Sequence, residues 1–266
     1  MTFTGAIGAA CMFPLRAIIG LCVALRIHPN LLTLIGVIIN FAAAWQFAVG
    51  RFVTAGFIML VANIFDFIDG KVAEAANLSS RFGGFWDSVM DRFSDLSLFI
   101  GVIFLYTQLG HTDYVMVAAI AMMFSVMTSY TRARAESMIE KCKVGFMERP
   151  ERIVLVMIGA FTNRMAAILW VILVLSVVTV LDRIYFTWRA LKAQEASPAW
   201  LGQSLFTLPP RAVWHALYWT FERATWQYDL MVIVILGFVW LVPPGWLGDP
   251  TASGPGLIGI MLDQLR

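Results

Sequence analysis

Two pairs of aspartates interrupt an otherwise apolar part of the chain, residues 63–92, which read NIFDFIDGKVAEAANLSSRFGGFWDSVMDR. Asp66 and Asp69 are three positions apart, and Asp87 and Asp91 are four positions apart. Both spacings place the two members of a pair on one face of a helix. Because an acidic side chain in a membrane-spanning helix is destabilising unless it is paired, hydrated or bound to a cation, such residues usually mark a functional site. The stretch therefore predicts two helices whose acidic faces meet.

The composition of the whole chain argues against an ordinary soluble protein. Hydrophobic residues make up 60% of the 266 residues and charged residues 14%, whereas globular proteins have about 45–50% and about 25%. The mean hydropathy is +0.78. So few charges do not cover the surface of a soluble domain of this size. We therefore predict an all-α integral membrane protein built as a single bundle.

Seven apolar segments are candidates for membrane spans, since crossing the hydrocarbon core takes about 20 mostly apolar residues. They are residues 31–50, 53–73, 85–109, 113–133, 150–163, 164–186 and 228–247. We predict four regions from them: an N-terminal interfacial amphipathic helix (1–29), a six-helix catalytic transmembrane bundle (30–186), an interfacial Trp-rich segment (187–227), and an additional transmembrane span with a tail (228–266).

The distribution of basic residues predicts the orientation in the membrane. If the N-terminus is cytoplasmic and the spans alternate, the nineteen lysines and arginines all fall on the cytoplasmic side except Arg51, Arg164 and Arg266. Cytoplasmic loops of membrane proteins are enriched in these residues. The expectation is a multi-pass protein of the cell membrane with a cytoplasmic N-terminus and an active site that faces the cytoplasm.

Packed face to face, two such helices bring four carboxylates into one small volume. Four close negative charges repel each other until protons or cations neutralise them, and hard oxygen ligands suit Mg²⁺, Mn²⁺ or Ca²⁺. Paired divalent cations held by carboxylates are a common means of binding phosphates during in-line displacement. The alternative interpretation is that individual aspartates only cap helix ends at the membrane surface, where charge is tolerated.

The same stretch resembles the signature of the CDP-alcohol phosphotransferase family, D-x-x-D-G-x-x-A-R-x8-G-x3-D-x3-D. Seven of the eight fixed positions are in register: Asp66, Asp69, Gly70, Ala73, Gly83, Asp87 and Asp91. Glu74 stands where the family has arginine, so either a contact to the nucleotide phosphates or the full activity of the family is in question. Lys71 or Arg81 is a candidate for supplying the missing positive charge. Pro29–Thr33 also resembles the motif that opens the family's first span. With the six predicted spans, the resemblance covers about residues 25–186.

The resemblance implies a reaction, a cofactor and a site. In this family two divalent cations per active site bind the diphosphate of a CDP-linked lipid, an acceptor hydroxyl attacks the β-phosphorus, and CMP leaves. The implied cofactor is Mg²⁺ or Mn²⁺, bound by Asp66, Asp69, Asp87 and Asp91, with Asp91 as the general base. The implied donor is CDP-diacylglycerol or a CDP-archaeol-type lipid, bound by Asn30, Thr33, Asp69, Gly70, Ala73, Arg81 and Gly83. A homodimer is implied by the family alone.

A second, basic constellation predicts the acceptor. Residues 129–136, SYTRARAE, and 145–152, GFMERPER, resemble the inositol-phosphate branch of the family, the phosphatidylinositol-phosphate and archaetidylinositol-phosphate synthases. By that resemblance a phosphorylated polyol, inositol 1-phosphate, is bound through its phosphate by Arg132, Arg134, Arg149, Arg152 and Arg183. Guanidinium groups bind phosphate bidentately. Glycerol 3-phosphate is the alternative acceptor, which would make the enzyme a phosphatidylglycerophosphate synthase. Individually, the arginines also fit positive-inside anchors that contact anionic lipid headgroups.

Two other classes of protein stay open at this point. A cation- or proton-coupled transporter also keeps carboxylates inside its bundle, although the sequence has no inverted repeat of the Asp-rich helix. A family member without activity, acting as a scaffold, is suggested by Glu74 alone, while all four aspartates are present. No basic-aromatic pattern indicates nucleic-acid binding beyond what a membrane surface explains.

Overall fold

The fold is that of a computed structural model, which describes residues 15–194 and 226–252. Within these residues all regular structure is helical. The helices are α1 (Leu15–Ala24), α2 (Pro29–Ala48), α3 (Phe52–Ala75), α4 (Arg81–Gln108), α5 (Thr112–Glu136), α6 (Arg149–Thr162), α7 (Met165–Gln194), α8 (Trp226–Leu241) and α9 (Pro244–Leu247). The predicted all-α class is confirmed.

Four of the described helices are long and apolar enough to cross a membrane, so the chain is a multi-pass membrane protein. They are Pro29–Ala48, Phe52–Ala75, Thr112–Glu136 and Met165–Lys192. Three further predicted spans lie on helices outside this set, namely α4, α6 and α8. Helix α6 has 14 residues, about 21 Å at 1.5 Å per residue, which is less than a hydrocarbon core of about 30 Å. Helix α4 is longer but carries five charged residues between positions 81 and 95: Arg81, Asp87, Asp91, Arg92 and Asp95. The count of six spans stays a prediction.

The predicted ends of two spans differ from the structure. The sixth predicted span ends at residue 186, whereas α7 continues to Gln194. Residues 187–194 contain no glycine or proline that would end the helix, and Lys192 Nζ lies 5.0 Å from the ring centroid of Trp188. The last predicted span, 228–247, is interrupted after Leu241, because Pro243 and Pro244 have no N–H group to continue the helical hydrogen bonds.

Parts of the predicted terminal regions lie outside the described residues, at 1–14, 195–225 and 253–266. The interfacial character of the N-terminal helix, the Trp-rich segment and the tail therefore remain predictions. Of the N-terminal region, the structure describes α1, which ends before the turn that leads into α2.

The described residues form two compact units, divided after Leu105. In the first unit, α1 packs on α2 and α3, and these two longer helices lie side by side. The contact is apolar, and its buried residues are Cys22, Leu32, Ile68 and Val72. Helix α1 therefore covers the start of α2 and the last part of α3, which carries Asp69.

A close approach between backbones attaches α4 to α2 in the same unit. At Gly101 an added Cβ would lie 2.2 Å from the carbonyl oxygen of Ala44, a distance that no side chain can occupy. Small residues allow helix backbones to come this close in membrane proteins. Because α3 and α4 both pack on α2, the two helices that carry the aspartates belong to one packed set.

The second unit, from Tyr106 onward, is built around α7, which contacts α5, α6, α8 and α9. Helices α6 and α7 are joined by a tight turn at Asn163, whose φ of 56° lies in the left-handed region that asparagine tolerates. Gly159 lets the two helices come close, since an added Cβ would lie 2.9 Å from Ile168 Cγ1. The predicted fifth and sixth spans thus form one helical hairpin.

Gly101→Ala is expected to destabilise the protein, because the added Cβ would overlap the backbone of Ala44 and force the two helices apart. Overpacking of this kind lowers the free energy of unfolding by about 1–3 kcal/mol. The measurement is the thermal unfolding midpoint of the purified protein in detergent. Gly20→Ala in α1 is the matched control, because no described atom lies within 4 Å of its added Cβ and alanine favours a helix over glycine. Equal midpoints for the two variants would contradict the close approach.

Candidate active site

Three of the four predicted aspartates come together from α3 and α4. Asp66, Asp87 and Asp91 each offer a carboxylate oxygen, and these three oxygens lie within 4.8 Å of one another. All three side chains are partly buried. Since like charges at this separation repel, a cation between them would stabilise the arrangement. Carboxylate oxygens are the ligands that Mg²⁺ and Mn²⁺ prefer, so the residues present fit a divalent cation. We call these three residues the acidic group.

The fourth aspartate, Asp69, is held by α2 and lies outside the acidic group. The Thr33 hydroxyl donates a hydrogen bond to Asp69 Oδ2, and both residues are buried. Thr33 Oγ1 also lies 3.3 Å from the carbonyl oxygen of Pro29. A buried carboxylate requires such a partner. Thr33 therefore fixes the orientation of Asp69 one helical turn beyond Asp66.

A cavity of about 260 Å³ in the first unit shares Asp87 with the acidic group. Its lining includes six of the seven residues predicted to bind the donor: Asn30, Thr33, Asp69, Gly70, Ala73 and Gly83. Leu78, Ser79, Ser80 and Gly84 also line it. Arg81 is not among the described lining residues, and its role stays a prediction. The structure thus places most of the predicted donor residues around one space beside the carboxylates.

Sequence reasoning missed Ser80, which lines this cavity and directly precedes the first residue of α4. Ser80 Oγ accepts a hydrogen bond of 2.9 Å from the backbone N–H of Gly83, which is the contact of a serine N-cap. The indole Nε1 of Trp86 donates to the carbonyl oxygen of Asn30 at 3.3 Å and so ties α4 to the start of α2. A helix N-terminus favours negatively charged ligands. The available signal was a serine, a preferred N-cap residue, a few positions before the predicted span that begins at residue 85.

Glu74, the departure from the family signature, lies at the surface. Its Oε2 forms an ion pair of 2.8 Å with Lys71 Nζ, and both side chains are exposed. Neither residue is among those found to line the cavity. Exposed ion pairs contribute at most about 1 kcal/mol to stability. In this structure Lys71 is therefore engaged by Glu74 rather than directed into the cavity.

The predicted acceptor arginines belong to the second unit, where Glu148 links two of them. Glu148 Oε1 accepts a hydrogen bond of 2.9 Å from Arg132 Nη1 and one of 3.2 Å from Arg183 Nη2. Arg132 Nε also donates to Glu136 Oε1 at 3.2 Å. Charge-assisted hydrogen bonds of this kind are stronger than neutral ones. Glu148 thus connects the end of α5, the start of α6 and α7.

Arg183 is the most buried of the predicted arginines, with 2% of its surface exposed. Its Nε donates to the carbonyl oxygen of Val144 at 2.9 Å, and its Nη1 donates to that of Thr128. Arg152 Nη1 reaches the same residue, donating to Thr128 Oγ1 at 2.9 Å. With its bond to Glu148, Arg183 therefore attaches α5 and the loop before α6 to α7.

The remaining two arginines take different positions. Arg134 is exposed at the end of α5, where its Nη1 lies 3.4 Å from Ser137 Oγ. Arg149 begins α6 directly after Glu148. The structure joins the other three arginines through shared partners and leaves Arg134 apart from them. The linking role of Glu148 was missed from the sequence, although the residue stands in the quoted GFMERPER segment.

The structure defines a helical membrane protein with a carboxylate group beside a cavity, and comparison with known proteins identifies its family. The profile of the CDP-alcohol phosphatidyltransferase family matches residues 26–190. The chain belongs to this family and is an enzyme of this class. The matched region contains the four aspartates and the five arginines described above, and it ends before α8 begins. The predicted family and enzyme class are confirmed, which argues against a transporter.

Two similar proteins with named activities are an archaeal and a bacterial synthase. The archaetidylinositol phosphate synthase of Pyrococcus horikoshii is 35% identical over 173 residues, covering 65% of this chain and 89% of that protein. The phosphatidylinositol phosphate synthase of Mycobacteroides abscessus is 31% identical over 166 residues, covering 59% of this chain and 76% of that protein.

Solved structures of a related enzyme have the same fold. The Mycobacterium tuberculosis phosphatidylinositol phosphate synthase with CDP-DAG bound has a TM-score of 0.62 and 25% identity, covering 72% of this chain and 98% of that chain. The same enzyme in complex with manganese and citrate has a TM-score of 0.61 and 25% identity, covering 77% of this chain and 99% of that chain. The predicted fold class is confirmed.

Asp66→Asn, Asp87→Asn and Asp91→Asn are each expected to weaken Mn²⁺ binding at least tenfold, about 1.4 kcal/mol. Each substitution removes one of the three carboxylates that approach one another. The measurement is a Mn²⁺ titration of the purified protein, followed by electron paramagnetic resonance of the free ion. Asp95→Asn, on the same helix but outside the acidic group, is the matched control and should keep the affinity within about twofold. Weakening in the control alone would place the cation elsewhere.

Proposed function

We propose that this enzyme transfers a phosphatidyl group from CDP-diacylglycerol, or an ether analogue, to a hydroxyl of inositol 1-phosphate and releases CMP. The observation that carries the proposal is the acidic group beside a cavity lined by six of the predicted donor residues. The similarity to an archaetidylinositol phosphate synthase and a phosphatidylinositol phosphate synthase supports the choice of acceptor.

The cavity of the first unit is the proposed site of the CDP group. Gly70 and Gly83 in its lining leave room for the diphosphate to approach the backbone, and the N-terminus of α4 favours its negative charge. Asp66, Asp69, Asp87 and Asp91 would hold two divalent cations. Once bound, these cations would neutralise the diphosphate and the negative charge that develops on the leaving CMP. Thr33 keeps Asp69 oriented for this role.

Asp91, the last aspartate of the signature, is the proposed general base. It accepts the proton of the acceptor hydroxyl while that oxygen forms its bond to the β-phosphorus of the donor. The bond between this phosphorus and the bridging oxygen breaks, and CMP leaves with the electron pair. The proton then passes from Asp91 to solvent, so that the carboxylate is restored for the next turnover.

The arginines of the second unit are the proposed binding site for the acceptor phosphate. Guanidinium groups pair with phosphate oxygens through two N–H donors, and an acceptor without phosphate would not need several of them. The four residues proposed to contact the phosphate are Arg132, Arg134, Arg149 and Arg152. Arg183 supports the site without contacting the phosphate, because three of its nitrogens already donate to protein atoms and one of these bonds holds Glu148 in place.

We further propose that the protein lies in the cell membrane, with its N-terminus and active site on the cytoplasmic side, and that it acts as a homodimer. The concentration of lysine and arginine on one side of the alternating spans supports the orientation. A donor that is itself a membrane lipid requires a site within reach of the bilayer, which fits a site built from membrane helices.

CMP release tests the proposed function. Purified protein with CDP-diacylglycerol and Mg²⁺ is given inositol 1-phosphate, glycerol 3-phosphate, inositol or serine separately. We expect release with inositol 1-phosphate. Asp91→Asn should reduce the rate by about 10²–10⁴-fold, since general base catalysis contributes that much, and Asp95→Asn should retain it.

The other outcomes of this assay each have a meaning. Release with glycerol 3-phosphate instead of inositol 1-phosphate would identify a phosphatidylglycerophosphate synthase, an acceptor that the same arginines accommodate. Release with free inositol or serine would contradict the role proposed for the arginines. If no CMP is released with any of the four acceptors, although the protein still binds the donor, the protein would be a scaffold without activity, and Glu74 would be the candidate cause.

Thr33→Val is expected to reduce kcat/KM for the donor by about 10–100-fold, because partners that orient metal-binding carboxylates contribute that much. Valine keeps the shape of threonine but cannot donate the hydrogen bond to Asp69. Thr33→Ser keeps the hydroxyl and should restore most of the activity. Thr54→Val, at an exposed position of α3, is the control for the loss of a hydroxyl. Equal activity of Thr33→Val and wild type would show that this hydrogen bond does not support the site.

A further inference from the structure

The C-terminal helix α8 contacts the segment that carries two of the predicted acceptor arginines, although it lies beyond the family match. Tyr228, in the first turn of α8, donates a hydrogen bond of 3.3 Å to Glu151 Oε1. Its ring packs against Phe146, with 5.1 Å between ring centroids. Phe146 lies in the loop before α6, and Glu151 lies in the first turn of α6. One side chain of the extension therefore touches both parts of the GFMERPER segment.

Helices α6 and α8 run in the same direction, and the extension is anchored at both ends. At the far end of α6, Arg164 Nη1 donates to the carbonyl oxygen of Val242 at 3.0 Å. Asn163 Nδ2 donates to the carbonyl oxygen of Thr251 at 2.8 Å. The contacts at Tyr228 and at Val242 thus attach α8 to α6 at both ends.

Between these two anchors the helices are separated by space rather than by close packing. A cavity of about 310 Å³ lies there, with apolar walls that include Val154 and Ile158 of α6 and Val232 and Leu236 of α8. Dense packing therefore does not hold the start of α6 against α8. At the start of α6, which carries Arg149 and Arg152, the contact with α8 is instead made by the hydrogen bond and the ring contact of Tyr228.

We propose that Tyr228 is a positioning residue for the acceptor site, an inference that rests on the acceptor role of the arginines in the proposed function. Its hydroxyl supplies a donor to the carboxylate of Glu151, which is buried and lies between Arg149 and Arg152 in the sequence. A buried carboxylate that loses a donor must find another partner, and a shift of the first turn of α6 moves the arginines on either side. The ring contact with Phe146 restrains the loop that leads to Glu148.

The test compares ligand affinities in the full-length protein. Tyr228→Phe keeps the ring contact with Phe146 and removes the donor to Glu151, and Tyr228→Ala removes both. Binding of inositol 1-phosphate, glycerol 3-phosphate and inorganic phosphate is measured by calorimetry, alongside binding of CDP. We expect phosphate-containing acceptors to bind about fivefold more weakly to Tyr228→Phe and at least tenfold more weakly to Tyr228→Ala. The affinity for CDP should stay unchanged in both variants.

Tyr114→Phe is the matched control. Tyr114 also donates its hydroxyl to the extension, to the carbonyl oxygen of Leu247, but it does so away from the GFMERPER segment. The chemical change is the same, and any general loosening of the extension should appear here too. We expect a lower unfolding temperature at most, with acceptor and CDP affinities like those of the wild type.

The outcomes separate this inference from the proposed function. Wild-type acceptor affinity in Tyr228→Phe, or equal weakening of acceptor and CDP, would overturn the inference. If the wild type binds phosphate probes, loses affinity on Tyr228→Phe and yet releases no CMP with any acceptor, the inference stands and the proposed reaction fails. If the wild type binds no phosphate probe, the inference fails, while CMP release with an unphosphorylated alcohol would still show a phosphatidyltransferase.

Discussion

Mutual repulsion between carboxylates inside an apolar unit is the interaction on which the rest of the site depends. Three oxygens of the acidic group lie within 4.8 Å of one another, on helices that are otherwise mostly apolar. Such a group is stable when a cation neutralises it and when the helices cannot move apart. The close approach of Gly101 to Ala44 attaches α4 to α2, and the hydrogen bond from Thr33 to Asp69 attaches α2 to α3. Both contacts oppose the separation that repulsion would favour.

The second unit solves the opposite problem, which is to hold several positive charges together. Arg183 is almost completely buried, and a buried guanidinium is tolerated because a carboxylate and backbone carbonyls satisfy its donors. Glu148 supplies the carboxylate and shares it with Arg132. The five arginines outnumber the three glutamates of the two quoted segments, Glu136, Glu148 and Glu151, so the set keeps an excess of positive charge. That excess suits an anionic ligand, and the two buried members, Arg152 and Arg183, are fixed by hydrogen bonds to Thr128.

Much of the helical framework follows from the chain alone. The second predicted span, 53–73, corresponds to Phe52–Ala75, and the fourth, 113–133, corresponds to Thr112–Glu136. The ends of these helices could be predicted from the sequence because apolar runs of sufficient length form helices in a bilayer. The limit of α7 was missed, because its last turns are polar and hydropathy gives no signal there. The interruption at Pro243 was missed as well, since an apolar stretch was extended across two prolines.

The sequence by itself determined the class of protein, the pairs of aspartates and the chemistry that they suit, because composition and helical spacing are local properties of the chain. Tertiary structure alone decided that Asp69 accepts a hydrogen bond from Thr33, 36 residues away, and that Asp66, Asp87 and Asp91 bring their oxygens within 4.8 Å of one another. It also decided that Glu148 links Arg132 to Arg183 and that Tyr228 reaches Glu151. These contacts depend on how whole helices pack, and that packing is set by distant small residues such as Gly101 and Gly159. Helical periodicity tells which side chains share a face, but not which face of another helix they will meet.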